Sequence, residues 1–367
     1  MKRISAYILL LALWGCIYPY DADLPESESP SLVIEGNIRI GDISEVTLSY
    51  VFPLDRVFTH VVPNGTGYIE DNRGNRYNPD NSLSTGNHLV FNTEKLKYNQ
   101  KYRLVIEADG ETYTSTLTSP TVSPTIQLST VYADGLSVFI SSNIDASECK
   151  TPYIAVRYDE VWQFHSDYIK MYEFDPEWGV PVPIANPDMT HYWCWNTNKV
   201  MLERIVDLSN SAGLVNNLGI ISFARTDNRN HKNYKAKIHV RSVTEEEYRY
   251  RNALASNSNS NGSLFSPNPG ELISNIACES SPSKPVYGYV NVFMEDYDYV
   301  FLDNKYYIEF QRDLLILEEE QYMSYYRNGY SPVSDYLGRN GMLGIGWGTA
   351  RCYDCVAAGG TLTRPDL

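Results

Sequence analysis

The sequence predicts a mostly β protein built of two immunoglobulin-like β-sandwich domains, the second carrying a long insertion and one or two short helices. Three observations predict it. Apolar residues recur with period two along several short segments, and turn-forming residues separate those segments at short intervals. Helix signals are few. Tyrosine dominates the aromatic residues, with 30 Tyr against 11 Phe and 6 Trp. It suits half-exposed strands, because the ring packs while the hydroxyl stays wet.

The chain opens with Lys2 and Arg3 ahead of an apolar run over residues 4–15, shorter than the roughly 20 residues of a membrane-spanning helix. A basic start, a short apolar core and a small residue before a cut are the parts of a secretory signal peptide. The small residue is Gly15 and the next is Cys16, so residues 1–15 read as a lipoprotein signal and Cys16 as the lipidated first residue of a mature chain. Trp14 is bulky for such a motif, which leaves a plain secretion signal as the alternative. Residues 16–30 hold Pro19, Pro25 and Pro30 among Asp21, Asp23, Glu26 and Glu28, the composition of an extended acidic tether.

The first sandwich is expected over residues 31–119. Leu32, Ile34, Ile38 and Ile40 fall on one face of 31–40, and Val46, Leu48, Tyr50 and Phe52 repeat the alternation. Asn72-Arg73-Gly74-Asn75 is a turn between two strand-like runs. The strongest local signal is Asp109-Gly110 between 102–108 and 111–117, because a type I′ hairpin turn needs positive φ at both central residues. Pro120 and Pro124 then mark a boundary, since neither can donate to a sheet. The second domain spans 126–367, with strands at 136–140, 153–164, 219–225, 234–243, 284–293 and 297–311. Residues 244–255 form the best helix, with Thr244 as cap and Glu247 three residues on as a capping box. A Ser/Asn tract over 256–263 reads as a loop, 314–327 as a second helix, and 341–348 as a glycine-rich segment before the Cys352–Cys355 pair.

Composition excludes some functions. The chain carries a net charge of −15, and removing Lys2 and Arg3 leaves 28 basic side chains against 45 acidic ones. Nucleic acid requires the Lys and Arg clusters that are missing here, and adsorption to anionic lipid is disfavoured, which leaves anchoring to the lipid on Cys16. The motifs of common hydrolases, zinc proteases and phosphate-binding loops are absent. His60, His88, His165, His191, His231 and His239 are dispersed with no metal-ligand spacing; His165 and His191 flank an aromatic-rich insertion and could meet, but the favoured reading is of lone surface or core histidines. The protein is therefore read as a non-enzyme with no cofactor and no metal.

An exported chain permits disulfides. Cys194, Cys278, Cys352 and Cys355 are the candidates: Cys352 and Cys355 bridge each other, or pin the tail through Cys194 or Cys278. Cys149 is the thiol expected to be left over. A zinc site needs four converging ligands, and only one C-x-x-C pair exists. The insertion over about 159–196 crowds Trp162, Tyr168, Tyr172, Trp178 and Trp193, together with Tyr192 and Trp195, among carboxylates. Exposed rings beside acceptors suit a glycan or peptide groove. The competing reading is that the rings form a private core for a long loop.

Val33-Ile34-Glu35-Gly36, Cys194-Trp195, Phe265-Ser266-Pro267-Asn268-Pro269 followed by Asn275-Ile276, and Cys352-Tyr353-Asp354-Cys355 with Gly359-Gly360-Thr361 and Pro365-Asp366 together resemble an uncharacterised family of Bacteroidota outer-membrane lipoproteins, domain of unknown function 4249. The resemblance runs from about residue 31 to the end, where Leu367 replaces the aromatic pair that often closes the family. It implies no known activity. It implies an outer-membrane lipoprotein working as an accessory of a TonB-dependent transporter barrel; the glycan or peptide ligand is the expectation from the aromatic insertion. The alternatives are a structural or adhesive surface lipoprotein, and a glycan- or peptide-cleaving enzyme.

Overall fold

The computed structural model describes residues 30–52, 62–200, 202–259, 272–339 and 341–367, without the side chains of 257–259. The expected signal peptide, Cys16, the tether up to residue 29, His60 and the Phe265–Pro269 motif lie outside them. The fold is mostly β. Two pairs of facing sheets each enclose one apolar core, and a third, smaller layer is added at the C-terminal end.

The first pair begins with β1 (Ser31–Arg39), β2 (Ile43–Val51), β3 (Gly65–Asp71), β4 (Arg76–Tyr77), β5 (His88–Asn92), β6 (Tyr102–Ala108) and β7 (Glu111–Ser115). Alternation buries Leu32, Ile34 and Ile38 of β1 and Val46 and Leu48 of β2 against Ile69, Leu104 and Ile106. Asp109 and Gly110 have φ of 54° and 75°, the geometry their turn requires. The turn after β3 is held by the Asp71 carboxylate, which accepts from the backbone N–H groups of Arg73 and Asn75.

The second pair uses β8 (Thr125–Asp134), β9 (Ser137–Asp145), β10 (Tyr153–His165), β11 (Tyr172–Asp175), β12 (Val180–Pro183), β13 (Trp193–Lys199), β14 (Arg204–Asp207), β15 (Leu214–Ala224) and β16 (Lys232–Val243). One sheet has the order β15-β9-β8. In the other, β10 pairs with β16 on one side and with β13 and β14 on the other. Helix α1 (Glu245–Asn259) follows. Thr244 Oγ1 accepts from the Glu247 N–H at 3.1 Å, which is half of the expected capping box; the Glu247 carboxylate turns to Arg241 instead.

The chain then departs from the contiguous division at 126–367. β17 (Ile276–Cys278) pairs with β7, while β18 (Val286–Tyr287) and β19 (Val290–Phe293) run parallel to β1. Ile276, Cys278, Val286, Val290 and Val292 belong to the first core. These strands satisfy edge N–H and C=O groups that β1 and β7 would otherwise leave unpaired. Gly288, between β18 and β19, has φ 109°, and a Cβ there would lie 1.9 Å from the Ile34 carbonyl oxygen. Only glycine permits that approach. β19 ends at Phe293, and after Met294 the chain is back in the second pair, as β20 (Glu295–Leu302) on β16.

β20 ends at Leu302, short of the strand expected to residue 311, and a 3₁₀ turn at Asn304–Tyr306 follows. The expected helix over 314–327 splits into β21 (Leu315–Ile316) and α2 (Glu319–Arg327), because Glu318 caps α2 in a reciprocal box with Gln321. β22 (Tyr330–Leu337) and β23 (Leu343–Thr349) complete the third layer, so the glycine-rich segment is a strand. Phe174 of β11 packs on Tyr322, Tyr326 and Trp347. The insertion thus shares a core with the C-terminal layer.

A disulfide joins Cys194 of β13 to Cys355, and Thr361 exchanges backbone hydrogen bonds with Trp195 beside it. Cys278 is buried in the first core and Cys352 in the C-terminal layer, both unpaired, so three described thiols are free rather than Cys149 alone. Closing a loop of 161 residues restricts the unfolded chain, so replacing both Cys194 and Cys355 by Ser should cost about 2–5 kcal/mol in urea unfolding. Peptide mapping of the native protein should recover this one cross-link, with Cys278 and Cys352 alkylated only after denaturation.

Candidate functional site

The five aromatic residues singled out in the insertion do not converge. Trp162 is 5% exposed in the second core, its indole N–H donating to Asn228 Oδ1 at 2.9 Å. It is a packing residue, because β10 continues through it in the main sheet. Tyr168 donates to the Arg312 carbonyl and packs with Leu314, Val333 and Cys352; burial and its tyrosine neighbour Tyr336 push its hydroxyl up to about 12. Tyr172 donates to Asp335 at 2.9 Å. Both tie the insertion to the C-terminal layer. Trp178, at 77% exposure, occupies the turn between β11 and β12, and Trp193 is half-exposed against His165 and Tyr192.

His165 and His191 do not meet either. His165 stacks on His231 with ring centroids 4.2 Å apart, and His191 pairs with Asp354. The two stacked rings line a cleft of about 270 Å³ with Asp167, Asp227 and Arg312. Burial and the neighbouring His165 push His231 down to about 4. Asp167 is bound to Arg312 at 2.7 Å. Among the described residues, no group of three or more His, Cys, Asp or Glu side chains is arranged to hold a metal ion.

A larger cleft, of about 670 Å³, lies between the two sheet pairs. It exists because the chain crosses there three times: in the linker at Thr116–Thr121, at the junction of β16 with α1, and along β19. The walls are sewn together. The Asn275 side chain both donates to and accepts from the Val290 backbone, and the Thr121 N–H donates to the Val292 carbonyl at 3.1 Å. Tyr250 and Tyr289, with centroids 5.3 Å apart, close one side, and Ile273 adds an apolar edge.

The floor is ionic. Arg241 is buried with its guanidinium 4.4 Å from the Phe293 ring centroid. It binds Glu203 at 2.5 Å and Glu247 at 2.6 Å, and Arg251 reaches the same two carboxylates at 2.7 and 2.9 Å. Burial alone would raise the Glu203 carboxyl, but Arg241, then Arg251, outweighs it and holds the group at about 2. Two cations and two anions leave this cluster neutral. Glu246 and Arg249 add one anion and one cation to the lining, and the rest is threonine, serine, asparagine, aromatic and aliphatic, a balance that suits an uncharged or zwitterionic polar ligand with some apolar surface. Sequence reading missed this site. Arg241 and Glu203 lie in unrelated segments, and Glu247 carried only its capping signal.

Two expectations follow. Trp162→Ala should cost about 3–5 kcal/mol of stability, whereas Trp178→Ala should change it by less than about 0.5, both read from denaturant midpoints. Glu203 has a folded pKa below its unfolded value, so its stabilisation is complete above about pH 4.5 and disappears as pH falls toward 2. Glu203→Gln should therefore flatten the stability–pH slope in that window, by roughly 3 kcal/mol end to end.

The family described as "Domain of unknown function (DUF4249)" matches residues 17–297, a stretch that includes every residue lining the larger cleft. No curated protein matches the chain. A crystal structure of a DUF4785 family protein from Legionella pneumophila shares 11% identity, with a TM-score of 0.17. The alignment covers 56% of this chain and 51% of that one, so the chain spans about half the length of that protein.

Proposed function

We propose a function for this chain, which belongs to the DUF4249 family: a lipid-anchored, non-enzymatic accessory protein of the outer membrane that captures an extracellular ligand beside a TonB-dependent transporter barrel. The observation that carries the binding part is the cleft between the sheet pairs. It is concave, its polar groups are fixed by the backbone of both pairs, and its ionic floor is internally neutralised. Such a floor orients a ligand through hydrogen bonds without demanding a counter-charge. A short peptide or an oligosaccharide has the matching mixture of amide or hydroxyl groups and apolar patches.

The anchoring part rests on the Leu-Trp-Gly-Cys sequence ending at Cys16 and on the acidic tether after it. An acidic chain gains nothing from anionic headgroups, so the lipid supplies the attachment.

Each part has its own check. Oligopeptide and oligosaccharide pools are tested for a rise in melting temperature; one pool should stabilise the full chain, and Ala253→Trp, which fills the cleft, should abolish that rise. No stabilisation by either pool would remove the capture role. Metabolic labelling with a fatty acid should mark the wild-type chain and not Cys16→Ala. Affinity purification from detergent-solubilised membranes should bring down a transporter barrel in stoichiometric amount, and its absence would leave the adhesive reading.

A further inference from the structure

Strand β20 displays a row of rings. Its alternation sends Val300 and Leu302 into the core and leaves Tyr297, Tyr299 and Phe301 outward, at 51%, 37% and 67% exposure. Successive ring centroids are 5.6 and 6.4 Å apart. β20 ends its sheet, so its ladder partner is β16 on one side. From β16, Lys237 and Lys235 stand opposite Tyr299 and Phe301. The Lys237 ammonium lies 4.1 Å from the Tyr297 centroid and that of Lys235 4.0 Å from the Tyr299 centroid. A cation takes one face of a ring, and the exposure is what the other face and edges retain.

The charges on this face do not cancel. Its carboxylates are engaged: Asp159 with Arg157 and His239, Glu295 with Arg157, Arg39 and His239, and Asp42 with Arg39. Lys235 makes no ion pair among the described residues, and its contacts are the rings of Tyr299 and Phe301. Charges more than about 8 Å away are largely screened at physiological salt, so the unpaired Lys235, and not the chain's overall charge of −15, decides what is attracted here.

We propose that this strip is a second binding site, for a linear acidic polysaccharide. Sugar rings present flat C–H faces that stack on a row of aromatic side chains, and a uronate carboxylate supplies the partner that Lys235 lacks. The strip shares no residue with the cleft, and the proposal does not depend on the capture role or on the lipid anchor.

The test is affinity electrophoresis of the full chain through native gels containing polygalacturonate, with dextran and single-stranded DNA compared as the neutral and phosphate-bearing polymers. Polygalacturonate should retard the protein, more weakly as salt is raised. Tyr299→Ala with Phe301→Ala should weaken retardation roughly tenfold or more, and Lys235→Gln should weaken it several-fold and reduce the salt dependence. Tyr299 and Phe301 are exposed and Lys235 is half-buried outside the apolar core, so melting should stay cooperative; should the double variant fail to fold, Lys235→Gln alone decides. The proposal is overturned by absent retardation, by variants that migrate like wild type, by equal retardation in dextran, or by equal binding of single-stranded DNA.

Discussion

The structure depends on one crossing: the return of residues 276–293 from the second sheet pair to the first. β17 closes the free edge of β7, and β18 and β19 close the free edge of β1. Without them, both sheets of the first pair would present unpaired backbone groups, and the first core would lose Ile276, Cys278, Val286, Val290 and Val292. An edge strand supplied from more than 150 residues away also ties the two pairs in space, since β19 and β20 are separated by Met294 alone. The first pair is therefore not an independent bead on a string. Its completion waits for the second pair to be synthesised, and contacts of such sequence separation carry a loop-closure cost that slows folding.

Two clusters of buried charges lie along this same seam. Arg39 at the end of β1 and Glu295 at the start of β20 approach within 3.5 Å, and Glu295 also engages Arg157 and His239 of the second pair. Arg241 with Glu203 and Glu247 forms the other cluster, where β16 hands over to α1. Replacing buried ion pairs by apolar residues often leaves stability unchanged or raises it, while removing one partner is costly. The physical content of these clusters is thus geometric: each accepts one arrangement of the chains that meet there. The cleft follows from this. Its floor is the Arg241 cluster and its walls are the strands that the crossing brings together, so the site and the fold share one cause.

Much of the local structure was legible in the residues. Period-two alternation located β1, β2, β6, β9, β10 and β16, Asp109-Gly110 located a hairpin, and Thr244 located the start of α1. What failed had a common reason. β17 is only three residues long and carries no alternation to read, while β18 and β19 lie within the single strand expected over 284–293, divided at Gly288 and assigned to the wrong domain. Their partners are set by which edges remain open, a property of the assembled sheets. The choice of Cys355 over Cys352 as the partner of Cys194 likewise depends on where the tail turns, and four candidate cysteines give no ranking by spacing.

The aromatic residues show where sequence reasoning about sites reaches its limit. Crowding in the insertion marked Trp162, Tyr168 and Tyr172, and the fold uses all three for packing or for polar ties to the C-terminal layer. Tyr297, Tyr299 and Phe301 drew no attention, because a strand with aromatics at alternate positions reads as an ordinary core strand. Alternation reports that two faces differ; it does not say which face is covered. On β20 the covered face is the one with Val300 and Leu302, and only the position of β20 at the end of its sheet, with lysines from β16 alongside, leaves three rings turned to solvent. A ring row on an edge strand with its core already filled by aliphatic residues contributes little to folding. Its chemistry is available to whatever approaches from outside.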